Sequence, residues 1–416
     1  MNKLYDVCII GGGASGLAAA VYIKRTNKNI SVAVLERLSR VGKKLITTGN
    51  GRCNITNRDE DISHYHGENP GFAGYALKTY DNVRIKDFFY SVGVPLCTAE
   101  KGRMYPASLQ ASSVVDALRF SCDALGVDTF TDCKVTDITA QKGGYSLQTE
   151  KGELSAVRVI FAAGLYSGGA RLGCDGGALK LLKAKGFDAV KTTPAIVQIK
   201  TENEVARALK GIKINAVATL FTDGKQIRSE EGEVLFCDYG LSGPPILQIA
   251  REVERQSGEK TVCLDIMPQE NFSEILFLLN SMKTALAYRN LDEYLSGVLS
   301  KRLGQVVVKR AGLKLSLPVA ELKESDIKNI AAVIKKFSFK VISTTGFDNS
   351  QVTAGGLDTS GFDSKTMMSV KYKNLYAVGE ILDIDGDCGG YNLHFAFSSA
   401  MCAADSILRD YGNGKN

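Results

Sequence analysis

Tryptophan is absent from this sequence, histidine occurs only three times, and proline occurs only eight times in 416 residues. Ten cysteines are present, but no two stand at C-x-x-C spacing. This argues against a dithiol redox centre or a zinc knuckle, and no metal-ligand cluster or Ser-His-Asp arrangement is visible. Several cysteines, such as Cys8 and Cys263, lie in apolar runs and are expected to be buried thiols in a reducing cytosol.

Long apolar runs are also missing. None reaches the ~18 residues needed to cross a bilayer, and no charged-then-apolar leader precedes the first strand. These patterns favour a cytoplasmic protein without a membrane partner. The net charge is +6, from 51 basic and 45 acidic residues, and the basic residues are scattered. This suits a small polyanionic ligand and argues against a nucleic-acid partner, whereas the oligomeric state is left open.

The first 36 residues predict a βαβ unit. A strand at Val7–Ile10 runs into the glycine-rich residues 11–16, a helix of small residues follows, and a second strand at Val32–Leu35 ends on Glu36. In a dinucleotide-binding turn of this kind, Gly11 would permit the tight turn, Gly13 would admit a pyrophosphate, and Gly16 would let helix and strand pack closely. Glu36 lies about 20 residues further on, where an acid binds a ribose diol.

The stretch "TGNGRCNITN", residues 48–57, follows the second strand. Its position predicts a loop at the carboxyl edge of the sheet, where ligands bind in open α/β folds. Arg52, with Lys43 or Lys44, is expected to meet phosphate or the charge of a reduced flavin. We expect the side chain of Cys53 to contribute only to packing and to take no part in the chemistry.

The middle of the chain changes character. A strand is predicted at residues 157–164, and from about residue 191 the pattern is rich in strands, with a hairpin signal at Asp223-Gly224. Apolar residues at helical spacing predict helices over residues 272–282 and 291–299. Residues 191–350 are therefore expected to form an inserted β domain that carries a small helical piece.

The C-terminal stretch again has the strand, glycine and helix pattern of the N-terminal segment. A strand at Leu375–Val378 leads to Gly379-Glu380, and after "GGYN" a helix with one apolar stripe begins. The paired glycines and the helix N-terminus would offer close N–H donors to the edge of a flavin that becomes negative on reduction. His394 is either a proton donor there or a satisfied histidine at a helix start. Tyr391 either bonds a carbonyl or packs on the ring, and His64 and His66 are expected to be solvated.

Five segments resemble the BaiN/YhiN-type flavoproteins, also described as the aminoacetone-oxidase family of FAD-binding enzymes. The resemblance covers nearly the whole chain. The segments are "IIGGGASGLAAA", "GKKLITTGNGRCNITN", "RMYPASLQASSVVDAL", "GEVLFCDYGLSGPPILQIA" and "GEILDIDGDCGGYNLHFAFSS". One departure lies at "AAGLYSGGARLGCDGG", which lacks the family's proline and its Gly-Ser-Thr-Gly run, so the shape of that loop is left open.

The resemblance implies an α/β fold in which a discontinuous Rossmann-like FAD-binding domain is interrupted by a β-barrel-like domain with its own small helical domain. The expected boundaries are 1–190 with 351–416, 191–270 with 325–350, and 271–324. FAD would be bound non-covalently. By motif match, the cofactor-binding residues would be Gly11, Gly13, Ala14, Ser15, Gly16, Glu36, Arg37, Lys44, Thr48, Gly49, Asn50, Gly51, Arg52, Asn54, Val135, Ala163, Gly164, Gly379, Glu380, Asp385, Gly390, Tyr391 and Asn392.

The resulting hypothesis is an FAD-dependent oxidoreductase acting on a small molecule, with His394 and Tyr391 as candidate catalytic residues. The family implies two reactions: NAD(P)H-linked reduction of a conjugated C=C bond, and oxidation of a small amine such as aminoacetone by O2. We favour the first, although no second nucleotide-binding unit is visible, so NAD(P)H would bind only transiently. A flavoprotein that modifies nucleic acid would need a basic face with interleaved aromatics, and none is visible in the sequence. A flavin-binding protein without catalysis stays open.

Overall fold

A computed structural model describes residues 3–413, without the side chains of Asn203 and Asn413. The chain forms two compact units. The first runs up to Pro194 and resumes at Phe347, and the second is Ala195–Gly346.

Twenty strands are formed in the described residues. Strands β1 to β10 are Leu4–Ile10, Val32–Leu35, Thr56–Asn57, Tyr65–His66, Leu96–Thr98, Arg103–Pro106, Asp128–Phe130, Val135–Gln141, Gly144–Thr149 and Gly152–Phe161. Strands β11 to β20 are Ala189–Ala195, Ile199–Thr201, Lys213–Thr222, Lys225–Cys237, Gly240–Ser242, Lys260–Asp265, Phe337–Thr344, Val352–Leu357, Leu375–Ala377 and Asp385–Gly386.

Eleven α-helices accompany them in the same residues. Helices α1 to α11 are Ala14–Thr26, Gly74–Thr79, Asn82–Ser91, Ala111–Ala124, Gly177–Ala184, Asn203–Ala208, Pro244–Arg255, Phe272–Ala285, Lys301–Arg310, Glu324–Lys335 and Tyr391–Asn413. Of the helices described, none is long and apolar enough to cross a membrane.

The first unit is built on a seven-stranded sheet. Its order is β7-β2-β1-β10-β9-β8, and β19 pairs with the end of β10. Strands β7, β2, β1, β10 and β19 are mutually parallel, whereas β9 and β8 continue the sheet antiparallel. The carboxyl ends of the parallel strands lie at one edge, which is where an open α/β sheet binds its ligand.

Small side chains let the helices approach this sheet closely. Helix α1 buries its run of alanines, Ala18–Ala20, and α11 buries most of its small and apolar residues, so the two helices pack together beside the sheet. Strands β1 and β2 are buried over Val7–Ile10 and Val32–Leu35. The βαβ unit predicted from the sequence is confirmed.

The second unit contains a closed barrel in the order β12-β15-β14-β13-β16-β17. Its longest hairpin turns at Asp223 and Gly224, which both have positive φ, at 49° and 79°. This is the conformation that an Asp-Gly turn favours, and the hairpin prediction is confirmed. The expected fold class, a Rossmann-like domain interrupted by a barrel, is confirmed.

One of the two predicted helices in this unit is wrong. Helix α8 covers the first apolar pattern, but residues 291–299 form successive turns rather than an α-helix. Backbone hydrogen bonds in this segment, such as those from Tyr294 N to Leu291 O and from Val298 N to Leu295 O, join residues three positions apart, whereas α-helical bonds join residues four positions apart. Leu291 and Leu295 are buried all the same, because a chain of turns can also place apolar residues on one side.

Candidate active site

The glycine turn, residues 11–16, joins β1 to α1 at the carboxyl edge of the sheet. Gly11 has a φ of 108°, and a Cβ there would lie 2.6 Å from the carbonyl oxygen of Ala162. A Cβ on Gly16 would collide with the carbonyl oxygen of Gly11. By contrast, Gly13 has an ordinary φ of −87°, and a Cβ there would meet nothing within 4 Å. The fold itself therefore requires glycine at Gly11 and Gly16 but not at Gly13.

The same turn presents unsatisfied N–H groups. No side chain caps the N-terminus of α1, so its first-turn N–H groups and the positive end of its dipole face the opening at Gly13. Glu36 stands beside the turn and accepts hydrogen bonds from Gly12 N at 2.9 Å and Leu38 N at 2.8 Å. Burial raises the pKa of Glu36. The neighbouring Arg37 forms an ion pair with Asp175.

The 48–57 loop has an unusual backbone. Gly49, Asn50, Gly51 and Cys53 all have positive φ, between 55° and 81°. Such conformations cost non-glycine residues about 1–3 kcal/mol each and are concentrated at functional sites. Cys53 is fully buried, and burial raises the pKa of its thiol to about 12. A protonated, enclosed thiol agrees with the packing role expected for Cys53.

Two cationic side chains of the predicted site already have protein partners. Lys44 Nζ lies 2.5 Å from Glu380 Oε2. The guanidinium of exposed Arg52 lies over the ring of Tyr105, 4.8 Å from its centroid, and its Nε donates to Gly49 O at 3.4 Å. Thr48 turns its hydroxyl back to Leu45 O, at 2.7 Å.

The end of β19 meets the glycine turn. Gly379 has a φ of 71° and donates its N–H to Ser399 Oγ at 3.0 Å, and a Cβ on it would lie 2.9 Å from Ser15 Oγ. The next residue, Glu380, accepts from Thr353 N at 2.8 Å. Gly164, just after β10, also faces this carboxylate, because its Cβ would stand 3.5 Å from Glu380 Oε2.

The "GGYN" segment packs directly on the 48–57 loop. Asn57 Nδ2 donates to Gly389 O at 2.9 Å. A Cβ on Gly390 would lie 2.5 Å from the carbonyl oxygen of Thr56 and 3.0 Å from Asn54 Oδ1. The space beside Gly390 is thus filled by the chain itself, so this glycine serves the contact between two loops. Asn54 Oδ1 is buried and has no partner among the described residues, which leaves an acceptor for a ligand.

His394 is enclosed beneath the start of α11. It is 1% exposed, Nε2 lies 2.8 Å from Tyr80 O, and Nδ1 lies 3.0 Å from Thr56 Oγ1. Because a carbonyl only accepts, Nε2 carries the proton and Nδ1 accepts from the threonine. Burial lowers the pKa of His394, so the ring is neutral near pH 7.

The remaining residues of the predicted set have structural surroundings. Asn392 closes a clasp on Gly386, accepting its N–H at 2.8 Å and donating to its carbonyl at 2.7 Å. Asp385 is buried in β20, and Val135 begins β8 at the edge of the sheet. Ala163 stands between β10 and Gly164.

A charged cluster beside Tyr391 was not anticipated from the sequence. His64 lies between two carboxylates, with Nδ1 3.1 Å from Asp387 Oδ2 and Nε2 3.1 Å from Asp59 Oδ2. His66 Nε2 lies 2.9 Å from the other oxygen of Asp387. The ring of His64 stacks on that of Tyr391, with centroids 4.3 Å apart. The only local signal is the His-x-His spacing, because Asp387 is over 300 residues away in the sequence.

These residues fit a dinucleotide such as FAD. The opening at Gly13 and the uncapped helix α1 would accommodate a pyrophosphate, and Glu36 stands where an acid would bind an adenosine ribose. The buried Asn54 Oδ1 is one further group that a ligand would satisfy. Fold and site together define the class of dinucleotide-binding proteins.

The chain belongs to the HI0933-like family, whose model, described as the HI0933-like protein Rossmann domain, matches residues 5–406. It is 34% identical to a 3-dehydro-bile acid delta(4,6)-reductase of Clostridium scindens, over 97% of this chain and 98% of that protein. It is 28% identical to a ribosomal RNA dihydrouridine synthase of Haemophilus influenzae, over 98% of this chain and all of that protein. The family that the sequence motifs indicated is confirmed, and the protein is an FAD-dependent oxidoreductase.

A solved structure shows the same fold at low identity. The 3-ketosteroid-delta4-(5alpha)-dehydrogenase of Rhodococcus jostii, in complex with 4-androstene-3,17-dione, aligns with a TM-score of 0.51 and 16% identity, over 98% of this chain and 97% of that one. At this identity the likeness concerns the fold alone.

Proposed function

We propose that the enzyme reduces a C=C bond conjugated to a carbonyl group, with NAD(P)H as the reductant. The observation that carries the proposal is the full-length similarity to a reductase of such bonds in a bile acid. Reduction adds a hydride to the carbon β to the carbonyl and a proton to the α-carbon, while NAD(P)H becomes NAD(P)⁺. FAD, when bound, supplies the hydride chemistry of this exchange at N5.

The chain's own residues would bind the cofactor mainly through backbone donors. We assign the pyrophosphate to residues 11–16 and the adenosine ribose to Glu36. The flavin side falls to the 48–57 loop, to Gly379 and Glu380, and to the "GGYN" segment. The support is that these segments meet within hydrogen-bonding distance of one another at a single edge of the sheet.

Tyr391 fits the role of proton donor better than His394. Both ring nitrogens of His394 are occupied by protein groups. No hydrogen bond engages the hydroxyl of Tyr391 among residues 3–413, so it is available to a substrate. Burial raises the pKa of Tyr391 to about 12, which keeps the phenol protonated and able to donate at neutral pH. His394 would instead fix the start of α11 under the site.

A second candidate substrate is a uracil ring in RNA. Dihydrouridine differs from uridine by two hydrogens across a C=C bond conjugated to a carbonyl, and one full-length relative is named for that product in ribosomal RNA. The chemistry would be the same, and only the substrate site would differ. We favour a small enone because identity is higher to the bile-acid reductase and because the net charge of +6 is modest.

The test is anaerobic rapid mixing of the purified yellow enzyme with NADH or NADPH, followed by an acceptor. A 4-ene-3-ketosteroid, unmodified ribosomal RNA and air-saturated buffer with aminoacetone would be offered separately. We expect NAD(P)H to bleach the flavin and the enone to restore its colour, with one equivalent of saturated ketone formed. Turnover with RNA alone would favour the second candidate, and oxidation of aminoacetone without NAD(P)H would contradict both.

A further inference from the structure

His64 carries a positive charge that its partners dictate. Each of its ring nitrogens lies 3.1 Å from a carboxylate oxygen, Nδ1 from Asp387 and Nε2 from Asp59. A carboxylate only accepts hydrogen bonds, so both nitrogens must donate, which makes the ring an imidazolium. Burial lowers the pKa of His64, but the bonds to Asp59 and Asp387 outweigh that effect and raise it above 6.5.

The position of this ring is fixed by backbone pairing. Strand β4, Tyr65–His66, pairs antiparallel with β20, Asp385–Gly386, and Asp387 N donates to His64 O at 2.9 Å. The imidazolium then lies nearly parallel to the ring of Tyr391, at an interplanar angle of 18°. Tyr391 itself is only 5% exposed.

We propose that His64 is a positioning residue, which holds a positive charge against the face of Tyr391 and so stabilises the phenolate that forms when Tyr391 gives up its proton. The inference rests on the proposed function, in which Tyr391 protonates the α-carbon of the substrate. The O–H bond of Tyr391 breaks, a C–H bond forms, and the phenolate is reprotonated from solvent. A cation attracts an aromatic face, and attracts it more strongly when the ring is negative.

The other charges around His64 and Tyr391 determine the effect on the pKa of Tyr391 that His64 must offset. Asp59 and Asp387 both raise the pKa of Tyr391, and Arg103 lowers it. Without the imidazolium, the two carboxylates would face the phenol with Arg103 as the opposing charge. The ionisable groups around Tyr391 and His64 are Asp59, Asp61, Asp387, His66, Tyr65 and Arg103.

The test compares His64→Phe, which keeps a flat ring but removes the charge, with matched carboxylate variants. Asp59→Asn removes a bonding partner of the imidazolium. Asp61→Asn removes the same charge two residues away, where the carboxylate bonds Ser63 N and interacts with His64 only through space, so it serves as the control for loss of charge without loss of a bond to the ring. These two amide variants also decide the question if His64→Phe fails to fold.

Two spectroscopic measurements need no turnover. In the FAD-loaded protein, nitrogen-15 spectra resolve the three histidines, and we expect His64 to titrate above pH 6.5, at a clearly lower pH in Asp59→Asn, and at an only slightly lower pH in Asp61→Asn. With Tyr391 replaced by 3,5-difluorotyrosine, whose phenol is more acidic, fluorine spectra should show its pKa rise by about one unit or more in His64→Phe, a factor of ten in the ionisation constant. A His64 that titrates at or below pH 6.5, or an unchanged phenol titration, overturns the proposal.

The kinetic arm separates the proton step from the rest. His64→Phe should slow reoxidation by the enone roughly tenfold or more and enlarge its solvent isotope effect, while reduction by NAD(P)H keeps its rate. The loss should be smaller than the ~100-fold or more expected for removing the acid itself in Tyr391→Phe. Equal loss in both half-reactions would show a merely structural role. If no enone is reduced by the wild type, the proposed function falls, and the titrations alone decide whether His64 and Tyr391 are coupled.

Discussion

Gly13→Val is the substitution that most directly tests the cofactor turn. The backbone at Gly13 has an ordinary φ, and a Cβ would meet nothing within 4 Å. The protein without FAD should therefore lose only about 1 kcal/mol of its free energy of unfolding, the usual cost of a poor N-cap residue. FAD binding should be abolished, because the side chain would occupy the place of the pyrophosphate.

The magnitude follows from linkage. A ligand present at a thousand times its Kd adds about 4.1 kcal/mol to the free energy of unfolding. Wild-type protein should gain that increment when saturated with FAD, and Gly13→Val should gain none. Chemical unfolding with and without added FAD measures both quantities, and flavin absorbance after gel filtration reports retention.

Two other glycines supply the comparison. Gly74, at the start of α2, also has an ordinary backbone and open space around it, so Gly74→Val should keep FAD. Gly16→Ala should lose about 1–3 kcal/mol even without FAD, because its Cβ would collide with Gly11 O. If Gly13→Val retains FAD at wild-type affinity, or is destabilised without FAD as much as Gly16→Ala, the turn is only packing and the assignment is wrong.

The remaining predictions concern the 48–57 loop and the start of α11. Arg52→Ala should weaken FAD binding or lower the flavin potential by ~1.5–3 kcal/mol if its guanidinium leaves Tyr105 to bind the cofactor, whereas Cys53→Ala should affect turnover little. Titration with FAD and steady-state rates check both variants. If Arg52→Ala changes nothing and Cys53→Ala abolishes turnover, the loop is a thiol site. The lowered pKa of His394 means that the unfolded chain takes up its proton first, so the contribution of His394 to stability should fall as pH drops below 6.5, while that of His64, whose pKa is raised, should grow. Urea unfolding at pH 7.5 and 5.5 should therefore show a smaller loss of stability, or a larger gain, on acidification in His394→Gln than in the wild type, and an equal pH dependence would show that His394 does not contribute.

The parts of the fold that the sequence predicts well are those with local causes. The βαβ unit is encoded within residues 5–36, and the hairpin at Asp223-Gly224 is encoded by two residues that tolerate positive φ. The failure at residues 291–299 has a local cause too, since apolar spacing alone does not distinguish an α-helix from a chain of turns. Gly297 lies within that segment and weakens its helix propensity.

Contacts between distant segments explain what sequence reasoning missed at the site. His64 was expected to be solvated because nothing near it in the sequence indicates its contacts with Asp387 and Tyr391. Gly390 was expected to make room for a ligand, but the structure fills that room with Thr56 O. A glycine reports that something approaches the backbone closely, and only the fold tells whether the neighbour is a ligand or the chain itself.

The pairing of the site's cations bears on how it would hold an anionic cofactor. Lys44 is paired with Glu380 and Arg37 with Asp175, so the charges of these side chains are largely offset within the protein. Apart from Arg52, which lies over the ring of Tyr105, the attraction for a pyrophosphate then depends on N–H groups at the uncapped start of α1. Backbone donors can approach a ligand only where no Cβ intervenes, as at Gly13. For that reason the binding signal in this sequence is a pattern of glycines rather than a cluster of lysines and arginines, and the modest net charge does not count against a dinucleotide.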